Sequence, residues 1–455
     1  MLDRFIITAF LLVIALGTVV VSFPDGASAI LVVLILTGIC LFIFRKYTDE
    51  KDFIVRLFVL SLAVRLGFGI AVHVFDLREF FGGDAMTYDF RGSVLVDNWL
   101  GHSNASPFEL YVASTTTNAG WGMNYLVASL YLILGKNIFA AQSFCAVVGA
   151  ATAPMVYYCA DKIFDNRRVA RHAAIAVGFF PAMIIWSSQL LKDGLIIFLL
   201  VLAMTMVLQL QSKINPMAIA LLGLSLFGIL SLRFYIFYMV VIAVIGSFLV
   251  GVSKSNKSIV GRTLILALLG FAFTYFGVIR IASTDLDKYG DLARVQNSRL
   301  DLTRSAASGF GSEADVSTAA GAISAIPIGL IFLMLAPFPW TATNLRQAIT
   351  LPEIILWWAM IPVIISGIWY AVRYRLRNAL PVLMFSLMLM FAYSIFQGNV
   401  GTAYRQRTQI QVFLFIFFAV GWVIRSEKRK DKADMLAAQR ERMDARLRAN
   451  ALRSD

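Results

Sequence analysis

The chain has 455 residues, of which 59% are hydrophobic and only 15% charged, and its mean hydropathy is +0.76. Soluble domains carry about 25% charged residues, so the composition excludes that class and points to a membrane protein. The formal charge of +13 would suggest nucleic acid in a soluble protein, but Lys and Arg here cluster in short connections and the tail, and no nucleic-acid motif accompanies them.

A helical span needs ~20 mainly apolar residues. The apolar runs are continuous rather than alternating, which selects helices over a barrel. The expected fold is all-α, a polytopic membrane helix bundle of about 12 spans (12–14) with surface helices on its outer face. In chain order the expected spans are Phe5–Ser22, Ala29–Phe44, Phe53–Phe75, Asn137–Ala160, Val169–Ser187 and Leu190–Leu210. They continue as Met217–Leu232, Phe234–Gly251, Thr263–Val278, Ile354–Ala371, Ala379–Phe396 and Ile410–Ile424. The first shows no convincing cleavage signature and reads as an uncleaved span.

Residues 1–425 thus form the bundle, with outer loops 76–136 and 280–353, and 426–455 form a basic cytoplasmic tail helix. Orientation follows from Arg45-Lys46, Arg167-Arg168, Lys254, Lys257, Arg262, Arg373, Arg375 and Arg377, which the positive-inside rule assigns to the cytoplasm. The loop from Asp76 to Gly120 then faces outward, with Asp76, Glu79, Asp84, Asp89, Asp97 and Glu109. Tyr125–Leu134 is too short to cross and reads as a surface helix. Ile323–Leu335 reads as a re-entrant or surface helix, since a full crossing would flip the tail outward. The loop Arg280–Thr318 carries a Ser-Gly-rich stretch, and a lid, a binding loop or simple disorder all fit it. In the tail, Leu436, Met443 and Leu447 recur at helical spacing, as in a solvated topogenic helix or one that binds a partner or lipid headgroups.

Arg65 falls deep in its span, where a charge costs ~2.5–3.5 kcal/mol on insertion scales, so it should face the interior in an ion pair. Cys40, Cys145 and Cys159 fall in apolar runs, and the three histidines show no metal spacing.

The chemistry-bearing residues lie on the outer side. Asp84, in Gly83-Asp84-Ala85-Met86-Thr87-Tyr88, follows an apolar run, and Tyr88 stands one helical turn on. Asp89 is a candidate acceptor contact or metal ligand, or a plain solvated carboxylate. Lys192 and Asp193 open a span. Arg233 separates two spans, and Tyr404, Arg405 and Arg407 lead into the last one. Basic residues on the outer side run against the positive-inside trend, and arginine forks match phosphate oxygens. Headgroup snorkelling is the bland alternative for Arg405 and Arg407, a helix-start carboxylate for Asp84 and Asp193.

This order of features resembles the GT-C superfamily of polytopic glycosyltransferases. The resemblance rests on the Arg56 to Leu66 span, Gly83-Asp84-Ala85-x-x-Tyr88, Leu134-Gly135-Lys136, Asn166-Arg167-Arg168, Phe180-Pro181 and Trp186 through Asp193. It implies an enzyme that takes a sugar from a polyprenyl-phosphate donor on the outer face of a bacterial inner membrane. The acceptor would be a glycan, lipid or protein, in envelope polysaccharide or glycoconjugate assembly. Asp84 would be the catalytic base, with Tyr88, Asp89 and Asp193 at the acceptor or a second acidic site. Lys192, Arg233, Tyr404, Arg405 and Arg407 would bind the donor phosphate, with Mg or Mn as an optional cofactor. The rival readings are a polymerase or ligase using polyprenyl-pyrophosphate glycans, a transporter or flippase, and a non-catalytic scaffold.

Overall fold

The computed structural model describes residues 25–102, 104–116, 120–250, 269–271, 273–275, 277–289, 291–304, 308–311, 313–341 and 345–454. The first expected span, Phe5–Ser22, lies outside them, as does half of Thr263–Val278. Among the described residues all regular structure is helical, apart from one isolated bridge between Gly309 and Asn399. Helices α1 (Asp25–Tyr47) and α2 (Lys51–Val74) lead into the first loop. That loop folds into α3 (Arg78–Phe81), α4 (Asp84–Trp99), α5 (Pro107–Ser114) and α6 (Trp121–Leu134). Then come α7 (Ile138–Phe164), α8 (Arg167–Phe179), α9 (Pro181–Ser187), α10 (Lys192–Ser212), α11 (Pro216–Leu232) and α12 (Phe234–Val250). The remainder is α13 (Val278–Tyr289), α14 (Leu292–Arg304), α15 (Ala319–Leu335), α16 (Leu345–Tyr374), α17 (Leu376–Phe396) and α18 (Val400–Ser454).

Local chemistry starts these helices. Asn137, Asn166 and Asn215 each accept from backbone N–H groups at the N-termini of α7, α8 and α11. Asp165 ends α7 in the left-handed region at φ 51°, and Asn166 starts the next helix at once. Ser106 and Glu109 form a capping box on α5.

Seven helices are long and apolar enough to cross a membrane, namely α1, α2, α7, α10, α16, α17 and the first part of α18. The pair α8–α9, bent by 55°, makes an eighth if counted as one span. The chain is a multi-pass membrane protein. The runs expected at Met217–Leu232 and Phe234–Gly251 form α11 and α12, each of 17 residues and so about 25 Å long.

The bundle has two chemically distinct ends. One gathers Arg167 with Asp49, Arg171 with Glu50, and Arg168 with Glu427. Arg171 donates to both Glu50 oxygens, at 2.7 and 2.5 Å, and its hydrogen bonds hold the Glu50 carboxyl below the usual glutamate range. The opposite end carries the acidic loop helices and the junctions α9–α10, α11–α12 and α17–α18.

The structure departs from the sequence reading in four places. Val169–Ser187 is a pair of helices bent by 55° rather than one continuous helix, because Pro181 has no N–H to give Val177. Arg65, fully buried, makes no ion pair among the described residues. It donates to the Gly178 carbonyl at 2.8 Å, the Val177 carbonyl at 3.5 Å and Ser187 Oγ at 2.8 Å. The guanidinium replaces the donors lost at the break and sits favourably at a helix C-terminus. Of the readings open for the loop 280–318, simple disorder does not hold for α13 and α14, which are helical. The tail is not a separate helix but continues α18, which runs 55 residues without interruption.

Helix α15 packs against α17 and against the start of α18. Ala322 and Ala325 pack with Ile395, Gly329 sits on the Ser394 carbonyl, and Leu333 to Ala336 meet Arg407. Helix α6, at 14 residues, packs against α4 and is too short to cross.

Replacing Arg65 by Met removes the donors at the α8–α9 break. The expected cost is about 2–4 kcal/mol, from two buried groups left unsatisfied. Unfolding in mixed micelles, followed by tryptophan fluorescence, measures it.

Candidate functional site: a cationic cavity at the acidic end of the bundle

A cavity of about 420 Å³ opens at this end of the bundle. Its walls come from α3 and the start of α4, from Trp186 of α9, from Lys192 of α10 and Arg233 of the α11–α12 turn, and from the first turns of α16 and α18. Gly82, at φ 128°, lets the chain reverse between α3 and α4. Asp84 is therefore delivered as the first residue of α4. Gly83 is the N-cap, and no side chain caps the helix. Asp84 thus faces the cavity instead of its own helix end.

Arg405 is the hub. Its Nη1 lies 2.7 Å from Asp84 Oδ2, while Nη2 and Nε lie 2.5 and 2.6 Å from Asp193 Oδ2. Its guanidinium rests over the Trp186 ring, 5.4 Å from the centroid. The other oxygen of Asp193 meets Arg233 Nη2 at 3.5 Å. Arg233 also donates to Tyr393 Oη at 3.4 Å, and Tyr393 donates to Gln409 at 2.6 Å. Asp193 is fully buried, whereas the Asp84 side chain is half-exposed, at 51%. Asp84 Oδ1 carries no hydrogen bond among the described residues.

Lys192 lines the cavity with its ammonium 6.0 Å from the Tyr88 ring centroid and makes no hydrogen bond or ion pair among the described residues. Gly120, at φ 84°, leaves it room, since a Cβ there would lie 2.7 Å from Nζ. Tyr88 is buried beneath, and burial together with the Asp84 charge pushes its phenol well above the usual range. It stays neutral and can donate.

The structure brings together Asp84, Tyr88, Lys192, Asp193, Arg233, Tyr404 and Arg405. It does not bring Arg407 to them. Both arginines lie within α18, two positions apart, and so point to different sides of the helix. Arg407 is fully buried and donates to the carbonyls of Met334 and Ala336 at 3.1 and 2.8 Å. With Trp357 on Met334 and Trp358 on Leu335, it closes the C-terminus of α15. Asp89 faces away from the cavity and accepts a hydrogen bond from Tyr131. Tyr404 lines the cavity but gives its proton to Glu353 at 2.7 Å.

A divalent metal does not fit here. The guanidinium of Arg405 already lies between Asp84 and Asp193, and further cations surround both. Among the described residues no three His, Cys, Asp or Glu side chains converge.

Sequence reasoning missed Arg346 and Glu353. Arg346 lines the cavity, stacks over Phe80 at 5.3 Å and donates to the Glu79 carbonyl at 2.9 Å. The signal that marked Arg233, a basic residue at the acidic end, applied to Arg346 as well. Lys192, Arg233, Arg346 and Arg405 face Asp84 and Asp193, an excess of two positive charges. Phe80, Phe81, Ile185 and Ile349 supply apolar wall beside them. The arrangement can hold an anionic group that carries an apolar chain.

The loop 280–318 reaches the rim. Phe310 N–H donates to the Gly398 carbonyl at 2.8 Å and Val400 N–H to the Ser308 carbonyl at 3.1 Å.

Asp193→Asn leaves two buried guanidinium groups short of their counter-charge, and the expected loss is about 3–5 kcal/mol. Asp84→Asn acts on a half-exposed pair and should cost no more than about 1 kcal/mol. Unfolding of both variants in the same detergent compares the two. No protein-family model, curated protein or solved structure matches the chain.

Proposed function

We propose that the chain is an integral membrane glycosyltransferase that moves a sugar from a polyprenyl-phosphate donor to a glycan, lipid or protein acceptor on the outer face. The observation that carries this reading is a half-exposed carboxylate, Asp84, set in a cavity with two surplus positive charges and apolar walls. A lipid-linked phosphate needs such charge and such walls. The GT-C resemblance adds the expectation of an acidic residue just after an outer-facing span, the place Asp84 occupies.

In this reading the acceptor hydroxyl approaches Asp84 Oδ1, the oxygen Arg405 leaves open, and loses its proton there as it attacks the anomeric carbon. The bond to the phosphate oxygen breaks, and the lipid phosphate departs with one more negative charge than the donor carried. Lys192 and Arg346 offer donors to it. Arg233 and Arg405 are held in place by Asp193 and need not reorganise. Single displacement inverts the anomeric carbon.

A second reading, a polymerase or ligase acting on polyprenyl-pyrophosphate glycans, is favoured by the size of the excess. Two positive charges match a diphosphate diester more closely than a phosphodiester. A transporter or flippase lacks a comparable argument, because Arg65, deep in the bundle, serves carbonyls at a helix break.

Asp84→Asn keeps the shape but cannot take a proton, so turnover should fall by ~10²-fold or more with the fold intact. The assay is transfer by purified protein onto extracted acceptor, using lipid-linked sugars that accumulate in a deletion strain. Normal turnover of a well-folded Asp84→Asn protein removes it as the base.

Sidedness is tested separately. On a background without Cys40, Cys145 and Cys159, a cysteine at Asn104 should react with an impermeant maleimide in intact cells. One at Ser426 should be protected. The reverse pattern puts the cavity on the cytoplasmic face.

A further inference from the structure

The basic end of the bundle holds a second cavity, of about 190 Å³, far from the first in both chemistry and position. It lies where the last turns of α7 and α10 meet the first turn of α17. Leu208 forms its apolar floor, and Lys162, Gln211, Ser212, Arg377 and Asn378 form its walls. Among the described residues no carboxylate lines it, and Asp161, next to Lys162 in sequence, is outside the lining. Lys162 makes no hydrogen bond or ion pair among the described residues and projects to the exposed side.

Two cations therefore converge from segments more than 200 positions apart in sequence, together with the side-chain amides of Gln211 and Asn378, whereas Ser212 Oγ already donates to the Gln209 carbonyl at 2.8 Å. That donor set suits a phosphate oxygen. Its depth is marked independently by Trp369 and Tyr374 near the end of α16, exposed to 59% and 57% with Arg373 lying over both rings. Exposed Trp and Tyr at the end of a span mark the headgroup layer, and Arg377 follows Tyr374 by a few residues. The cavity opens at that level.

We propose that this cavity is a binding site for the phosphate of an anionic lipid headgroup, seated between α7, α10 and α17 with Lys162 and Arg377 as its cations. The lipid would join three spans at the basic end and stiffen their packing. The inference is independent of the enzymatic reading.

The test uses the purified full-length protein. It is titrated with phosphatidylglycerol or with phosphatidylcholine of the same acyl chains, and bound lipid is counted by native mass spectrometry. Wild type should retain phosphatidylglycerol in preference. Lys162→Gln with Arg377→Gln should weaken that retention about tenfold or more, as removal of two cations near an anionic headgroup predicts. Arg45→Gln with Lys46→Gln, which removes two cations of the same end outside the cavity, should leave it unchanged. Exchanging the cations, Lys162→Arg with Arg377→Lys, should retain binding and shows that the fold tolerates change there. If the double glutamine variant is not recovered folded, the single variants make the same comparison. Equal losses in the cavity and control variants would reduce the effect to diffuse attraction and overturn the site. So would no preference between the lipids. Displacement of phosphatidylglycerol by inorganic phosphate at matched ionic strength would assign the cavity to free phosphate and overturn the lipid.

Discussion

Everything at the acidic end depends on one buried carboxylate. Asp193 is fully buried and holds Arg233 on one oxygen and Arg405 on the other. Two guanidinium groups so close repel, and neither would remain in a low-dielectric interior without that counter-charge. Asp193 in turn sits in the first turn of α10, where the helix dipole also favours a negative charge. The clamp joins α10, the α11–α12 turn and α18. Asp84 then attaches the first loop to the same hub through Arg405. The catalytic carboxylate of the proposed reaction is thus placed by an ion pair that spans most of the chain.

The clamp would fail if the end of α9 were misplaced. Trp186 provides the face on which Arg405 rests, and neighbouring Ser187 receives Arg65 Nε. Arg65 holds the α8–α9 break from within the bundle. The break lets α9 leave the direction of α8 by 55°, which directs Trp186 towards the cavity. Gly149 and Gly194 allow this close approach, since a Cβ on either would lie 2.4 or 2.7 Å from Ser187 Cβ.

How far the sequence revealed this can be judged residue by residue. Long apolar runs and their flanking charges disclosed the helical bundle, because burial in lipid is dictated by composition over twenty or so residues. Asp84, Lys192, Asp193, Arg233 and Arg405 stood out because charge is costly near the apolar phase and rarely idle there. Their pairing was not legible, since it is set by tertiary contacts between distant segments. Arg407 misled for the same reason. Its spacing from Arg405 is suited to an extended strand, and only the start of α18 at Val400 turns the two apart. Arg65 looked like half of an ion pair, because a sequence does not show which carbonyls a proline will orphan.

Helix α18 has a mechanical consequence. It crosses α16 with almost no space between backbones, since a Cβ on Gly421 would lie 2.1 Å from the Val363 carbonyl and one on Gly367 would lie 1.8 Å from the Phe417 carbonyl. The first part of α18 is largely buried and packs on α16 along an extended contact, so this segment of the rod is held along its length. From Gly421 the rod extends about 24 Å back to Arg405 and about 50 Å forward to the end of the helix. The helix that sets Arg405 in the ion-pair hub thus continues unbroken into the basic tail beyond the other end of the bundle.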